Sequence, residues 1–437
     1  MITLKRKLFQ LVEALKSSYW FLPSVIVFLS ILLSIVSLKI DEIKTSTEIF
    51  SWIYLNEAEG ARLILSTIAG TMMSIAGVTF SMTIMAISFA SSQIGPRIIV
   101  GFMQDKGNQF TLGVFVSTFV YSILVLRTIK EGSQNSLEFV PHYSILITII
   151  LALLSVGVLI YYIHHIPQSI SMVQAVHKVG NQFHKTIGTV KDIYAQSNGD
   201  ETQTEYRDFY SSYPSRININ SNSEGYIEYI DFKKIIQVAT ELDLIIKIKV
   251  MPGKYIMKEC QLLEIYAKQK IDDKSLLKLR NTVIWATKRS FRQDIFFSAQ
   301  LLSEIAIRAL SPSMNDPYTA IDCLNKIESG LINMLNLKKS NFCYFDKNRK
   351  IRVIYHIISF NEGFERIFDS LRSYVTKDFL STKKVIELFY SLKRRCHDPS
   401  SIALIQKQLN YYSKSFLDNS KDSRDREIIK SLSNISS

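Results

Sequence analysis

Charge is what this chain most conspicuously lacks, and it lacks it in four places. Residues 63–96 contain no Asp, Glu, Lys, Arg or His, and runs at about 20–38, 110–126 and 143–163 are equally free of ionisable groups in their interiors. Proton- or sodium-coupled carriers keep an ionisable group inside the membrane because it carries the coupled charge. Its absence counts against a pump and leaves a passive channel open. Cysteine is scarce too. Cys260, Cys323, Cys343 and Cys396 stand far apart with no C-x-x-C among them, which suits neither a disulfide framework nor a zinc site and fits a reducing compartment. Nor is there a Walker loop, a G-x-G-x-x-G after a strand, an H-E-x-x-H, a G-x-S-x-G or a kinase signature. The expectation is therefore a protein that is not an enzyme and that needs no cofactor.

The 437 residues carry a net charge of +13, unevenly spread. Before residue 164 there are 11 basic and 9 acidic side chains; the remainder holds 41 and 30. The apolar excess thus belongs to the first part, and a basic region of about 270 residues follows, long enough for a core of its own. Its charges are interspersed, with only short runs such as Lys393-Arg394-Arg395 and no zinc-finger, KH or RNP signature. Attraction to anionic lipid headgroups explains such a region more simply than nucleic acid does.

The apolar runs read as four spans, at about 20–38, 61–92, 110–126 and 143–163, in a membrane domain over 1–164. Glu13 and the missing Ala-x-Ala site argue for a retained first span rather than a cleaved signal. Four spans put both termini on one side, and Lys5, Arg6, Lys7 and Lys16 place that side in the cytoplasm, at the bacterial inner membrane. Residues 165–224 read as a helical extension and polar linker. A small β-rich module is expected over 225–270, with strands at 225–230, 244–250 and 255–266, the last two joined by Met251-Pro252-Gly253-Lys254. A helical cytoplasmic region follows over 271–437. The fold class is an α-helical membrane domain followed by a cytoplasmic α+β domain.

The second span is too long for an ordinary crossing. Its 34 charge-free residues would extend about 51 Å as a helix against a hydrocarbon core of roughly 30 Å. Ser66, Gly70, Ser74, Gly77, Ser81, Ser88 and Ser92 fall on one helical stripe. Small residues let helices approach closely. One reading is tight packing among the four spans. The other is that several copies ring a central path, with hydrophobic rings such as Met72, Ile75 or Phe80 as gates. Gly95, Pro96, Arg97, Asn108 and Gln109 would then shape a cytoplasmic mouth. A homo-oligomer is expected, because an isolated four-span unit gives so long a stripe little purpose.

In the basic region, Asp316 before Pro317 reads as a helix start, the carboxylate capping exposed amides. Together with Asp294, Arg308 and Asn315 it could also line a ligand pocket. His164 and His165 are neighbours pointing about 100° apart, and His177 and His184 lie two turns apart, so neither pair chelates one metal.

The blocks SSQIGPR, DKGNQFTLGVFV, YYIHHIPQSI and RALSPSMNDPYTA resemble a bacterial family of multi-pass membrane proteins catalogued as a domain of unknown function. The resemblance implies a membrane protein with a cytoplasmic C-terminal domain and no assigned activity. It marks Gly70, Gly77, Ser81, Ser91, Ser92, Gly95, Pro96, Arg97, Gly107, Asn108, Gln109, Arg127, His164 and His165, and later Arg308, Ser311, Pro312, Asn315, Asp316 and Pro317. Two functions stay open: a passive channel lined by the second span, and a non-conducting sensor or scaffold whose cytoplasmic domain binds a ligand or partner.

Overall fold

A computed structural model describes residues 19–43, 58–95, 105–130, 139–169, 171–195, 212–335 and 341–434. The chain divides into two compact units, Met1–Gln174 and Ala175–Ser437.

Among the described residues the first unit holds four helices long and apolar enough to cross a membrane: α1 (Phe21–Ile43), α2 (Ala58–Ile94), α3 (Lys106–Leu126) and α4 (His142–Ser169). Helix α3 packs against each of the other three, and its inner faces carry small and hydroxyl side chains: Thr111, Ser117, Thr118 and Ser122 are buried. The pattern of burial is inverted. Ser30, Ser34 and Ser37 of α1 turn inward, while Phe28, Leu29 and Leu32 turn out. Likewise Leu153, Leu154 and Ile160 of α4 are exposed while Ser144, Thr148 and Ser155 are buried. Hydroxyls stitch the inside together. Ser30 donates to the Ser117 carbonyl at 2.7 Å, Ser37 and the Tyr121 hydroxyl stand 2.8 Å apart, and Thr118 meets Ser155 at 3.2 Å.

Glycine permits two of these close approaches. A Cβ on Gly107 would stand 2.6 Å from His165 Nε2, and one on Gly113 would stand 2.7 Å from the Ile26 side chain. Helix α1 also runs further than its apolar stretch. Asp41 lies inside it rather than in a loop, and its carboxylate accepts from the amides of Tyr143 (2.8 Å) and Ser144 (3.0 Å) and from the Ser144 hydroxyl (2.6 Å). The amides at the start of α4 have no partners in their own helix, so a carboxylate borrowed from α1 satisfies them.

The second unit, whose first helix is α5 (Met172–Tyr194), contains two sheets. The strands are β1 (Ser215–Asn220), β2 (Gly225–Ile230), β3 (Ile245–Ile248), β4 (Tyr255–Ile256), β5 (Gln261–Ala267), β6 (Val283–Ala286), β7 (Asn341–Phe345) and β8 (Ile351–His356). A five-stranded sheet runs β1-β5-β3-β8-β7 and a three-stranded one β4-β2-β6. Among the described residues only β3 and β8 pair in parallel; the other strand pairs are antiparallel.

The β structure is therefore wider than the 225–270 module. Strand β1 falls in the segment read as linker, because Arg216, Asn218 and Asn220 give this edge strand a polar surface. Strands β6, β7 and β8 fall in the stretch read as helical. The run 255–266 is two strands, broken at Glu259, whose φ is +66°. Nor does the Pro-Gly turn close a hairpin. It passes the chain from one sheet to the other, the Gly253 amide bonding the Ile227 carbonyl at 2.8 Å.

Helices α6 (Phe232–Glu241), α7 (Asp273–Arg280), α8 (Ile295–Ala309), α9 (Pro317–Met334), α10 (Phe360–Val375), α11 (Phe379–Arg395), α12 (Pro399–Asn419) and α13 (Ser423–Asn434) complete the unit. Phe364, Phe368, Phe389 and Tyr412 form an aromatic core between α10, α11 and α12, with neighbouring ring centroids 4.7–6.1 Å apart. Helix α5 docks on α9 by dropping Phe183 into the notch of Gly330, where a Cβ would stand 1.9 Å from the ring.

Two buried charges sit in the larger sheet. Arg352 is bonded by Asp346 (2.7 Å) and Asp243 (2.6 Å), and Asp243 also takes Lys268 at 2.8 Å. Glu264 is held by Arg216, by Lys249 at 2.9 Å and by the Tyr266 hydroxyl at 2.8 Å. Lys268 and Arg352 hold the Asp243 carboxyl well below the usual range. Burial opposes the same effect at Glu264 and Asp346 but is outweighed by their bonded partners. Groups depressed on folding stabilise fully above the ordinary carboxylate range, about pH 4, and lose that contribution as pH falls through the folded values. Circular dichroism during acid titration should thus show the sheet weakening below about pH 4, with a shallower acid limb in Asp243→Asn.

Candidate functional site

The stripe of α2 is settled by where its side chains point. Ser66, Gly70, Ser74, Gly77, Ser81, Ser88 and Ser92 are all exposed, and a Cβ on Gly70 or Gly77 would meet nothing within 4 Å. The face that packs on the other helices is a different one, built of Ala61, Leu65, Ala69, Met72, Ala76, Thr79, Thr83 and Ala90. At about 100° per residue the centres of the two faces lie roughly 150° apart. Packing among the four helices of one chain is therefore not what the Gly and Ser stripe does.

Its hydroxyls turn back on their own helix, Ser66 donating to the Leu63 carbonyl at 3.0 Å and Ser92 to that of Phe89 at 2.8 Å. From Phe80 to Ser92 the stripe forms the floor of an open groove whose sides include Ile84, Met85 and Phe89. Of the three proposed gating residues, Met72 and Ile75 pack into a cluster with Leu112 and Phe115, so only Phe80 is on the open side.

The proposed mouth is partly dispersed. Gly95, with φ +118°, ends α2; Pro96 and Arg97 lie outside the described residues. Asn108 and Gln109 turn inward and are buried in the first turn of α3. What stands at that end instead is Asp105. Its carboxylate caps α3 by accepting from the Asn108 amide at 3.1 Å, and the same oxygen lies 2.9 Å from His165 Nε2. Sequence reasoning placed Asp105 in a connection and His165 at a span end. The D-x-x-N spacing of a cap was the available signal. Among the described residues no cluster of His, Cys, Asp and Glu could hold a metal ion.

The four ligand-pocket residues do not converge. Asp294 caps the start of α8 and Arg308 stands in its last turn, about 21 Å away at 1.5 Å per residue. Asp316 caps α9, accepting from the Thr319 amide at 3.1 Å and its hydroxyl at 2.6 Å, with Pro317 in the first turn. Asn315 takes φ +46° in the turn before it. The structural reading of that turn holds.

Asp294 is different. It is buried, accepts from the Phe297 amide at 3.1 Å, and is paired with Arg289 at 2.6 Å. Burial pushes its carboxyl above the ordinary range, against the pull of Arg289. With Gln293, Phe232 and Tyr355 it borders a small cavity in the second unit.

The comparisons match this picture of an apolar helical unit followed by a mixed one. The sequence profile of the family described as "Predicted membrane protein (DUF2254)" matches residues 16–391. The chain belongs to this family. It is 25% identical over 424 residues to an uncharacterized protein of Mycobacterium bovis, spanning 96% of this chain and 80% of that one. An uncharacterized protein of Mycobacterium tuberculosis aligns with the same identity and the same coverage of both chains. No solved structure matches the chain.

The two caps should separate in energy. Asp316→Ala removes an exposed-side cap and should cost about 1 kcal/mol. Asp294→Ala also strands Arg289 and should cost about 3–5 kcal/mol. Urea unfolding followed by the fluorescence of Trp285 checks the order.

Proposed function

We propose that the protein is a passive channel for ions or small solutes in the bacterial inner membrane, assembled from several copies, with α2 of each copy lining the path. The observation that carries the reading is the outward Gly and Ser stripe. Helices α3 and α4 already cover the opposite face of α2, so the stripe is a second face waiting for a second use. Against lipid tails it would gain little, since hydrocarbon is better matched by the bulky side chains that cover α1 and α4. Against copies of itself it lets backbones approach closely and presents hydroxyls to water. A helix of 37 residues, about 55 Å long, also reaches beyond the bilayer, as a pore helix joined to a gating region would. The charge-free interior suits conduction without coupling. On this reading both termini are cytoplasmic and the basic second unit meets anionic headgroups. No enzymatic step is assigned to it.

A second reading, a non-conducting membrane-anchored sensor, is favoured by one observation, the cavity beside Asp294. Planar-bilayer recordings of the full chain separate the two. The channel predicts unitary currents that vanish in Gly77→Leu while the oligomeric mass is unchanged. Silence from an intact wild-type oligomer across voltage and tension sinks the channel and leaves the sensor. Loss of the oligomer in Gly77→Leu would show the stripe to be a helix contact.

A further inference from the structure

Beside the start of α8 the second unit has a small, partly open cavity lined by aliphatic side chains and a few polar groups. Its inner space is about 30 Å³, room for roughly two waters where one needs about 10–15 Å³, and so for the hydroxyl end of a longer molecule whose body leaves through the opening. Val190, Ile193, Met251 and Ile295 supply much of the wall, with half-buried Ile358 among them. Two of the polar groups matter.

Tyr355 is 7% exposed, and its ring packs against Phe232 with centroids 4.8 Å apart. Its hydroxyl has no hydrogen-bond partner among the described residues. It is not one of the unpartnered polar atoms shut away from solvent, so it is free to bond whatever occupies the cavity. Asp294 is the second group. Each of its oxygens already accepts from the protein, Oδ1 from Phe297 and Oδ2 from Arg289, and each keeps further lone-pair capacity. Gln293 is not available, because its amide pairs in both directions with the Ile230 backbone at 2.9 and 3.2 Å.

These groups select by charge. Asp294 and Arg289 form an ion pair with no net charge, so neither an anion nor a cation gains enough there to offset its desolvation. What remains is a neutral molecule that can both accept from a phenol and donate to a carboxylate. A hydroxyl does both, and the walls suit an aliphatic body. We propose that this cavity binds the hydroxyl end of a small neutral aliphatic alcohol, with Tyr355 donating to it and Asp294 accepting from it. The site stands independently of whether α2 lines a pore.

The test uses the full chain in deuterated detergent, with 1-butanol as probe and butyrate and butylammonium as charged counterparts, read by saturation-transfer NMR. Tyr355→Phe removes only a hydroxyl that has no partner in the protein; Ile358→Trp fills the cavity. Wild type should transfer saturation to 1-butanol. Tyr355→Phe should bind about fivefold more weakly, the worth of one neutral hydrogen bond, and Ile358→Trp should abolish the signal. Neither charged probe should displace the alcohol. Equal transfer in all three proteins would mean partition into the micelle and overturn the proposal. No protein-dependent transfer in wild type would overturn it too, leaving ordered water as the occupant. If Tyr355→Phe loses its circular dichroism spectrum, the comparison of wild type with Ile358→Trp decides.

Discussion

In the first unit the contacts of α1 and α4 with α3 depend on side chains small enough, or hydroxylated enough, to bring backbones together, while bulky apolar clusters add to the seams of α2. Ser30 reaches a carbonyl of α3 directly, Thr118 meets Ser155 across the α3–α4 seam, and Gly107 leaves no room between α3 and His165. A soluble bundle would bury leucines at these places and expose serines. Here the order is reversed, as expected where the surroundings are as apolar as any core and burial of hydrocarbon gains nothing. What then holds the helices together is dispersion at close range and hydrogen bonds in a dry interior. Helix α3 takes the centre, packing on each of the other three helices. Asp41 extends the same logic to a helix end, placing an acceptor where α4 begins with unpaired amides.

The second unit works by ordinary burial, and its special feature is compensation. Arg352 and Glu264 lie in the larger sheet where an unpaired charge would be expensive, and each is surrounded by more than one opposite charge or donor. Arg352 ties β8 both to the β7–β8 turn, through Asp346, and to the connection that leads into β3, through Asp243. The one parallel pairing in the sheet, β3 with β8, is thereby fastened at its end by charge as well as by its ladder.

Much of this was legible in the sequence, unevenly so. Four charge-free runs are enough to locate α1 to α4, because no alternative buries twenty apolar residues in a row without a charge. The cap at Asp316 was legible for the same local reason, whereas Asp294, read only as a pocket residue, caps α8. Strand β1 was not, since four of its six residues are polar and its pairing partner lies more than forty residues away. Strand β8 was hidden differently: IRVIYH is buried up to its last residue, and a short buried run does not declare its period. The convergence expected of Asp294 and Asp316 failed because chain proximity was taken for spatial proximity, when fifteen helical residues stand between them.

Helix α2 shows where reading from sequence stops. It carries two stripes of small residues, one of Ala and Thr, the other of Gly and Ser, and both have the spacing of a packing face. Composition alone ranks the Gly and Ser stripe first, since glycine permits the closest approach. The fold assigns the internal contact to the other stripe. Alanine and threonine suffice there because α3 approaches with Leu112 and Phe115, which need a shallow wall and not a deep notch. The deeper notches at Gly70 and Gly77 face outward and are filled by nothing among the described residues. A notch is useful only against something that enters it or water that runs along it. The length of α2, its freedom from charge and its outward glycines thus bear on one question, namely what lies against that face.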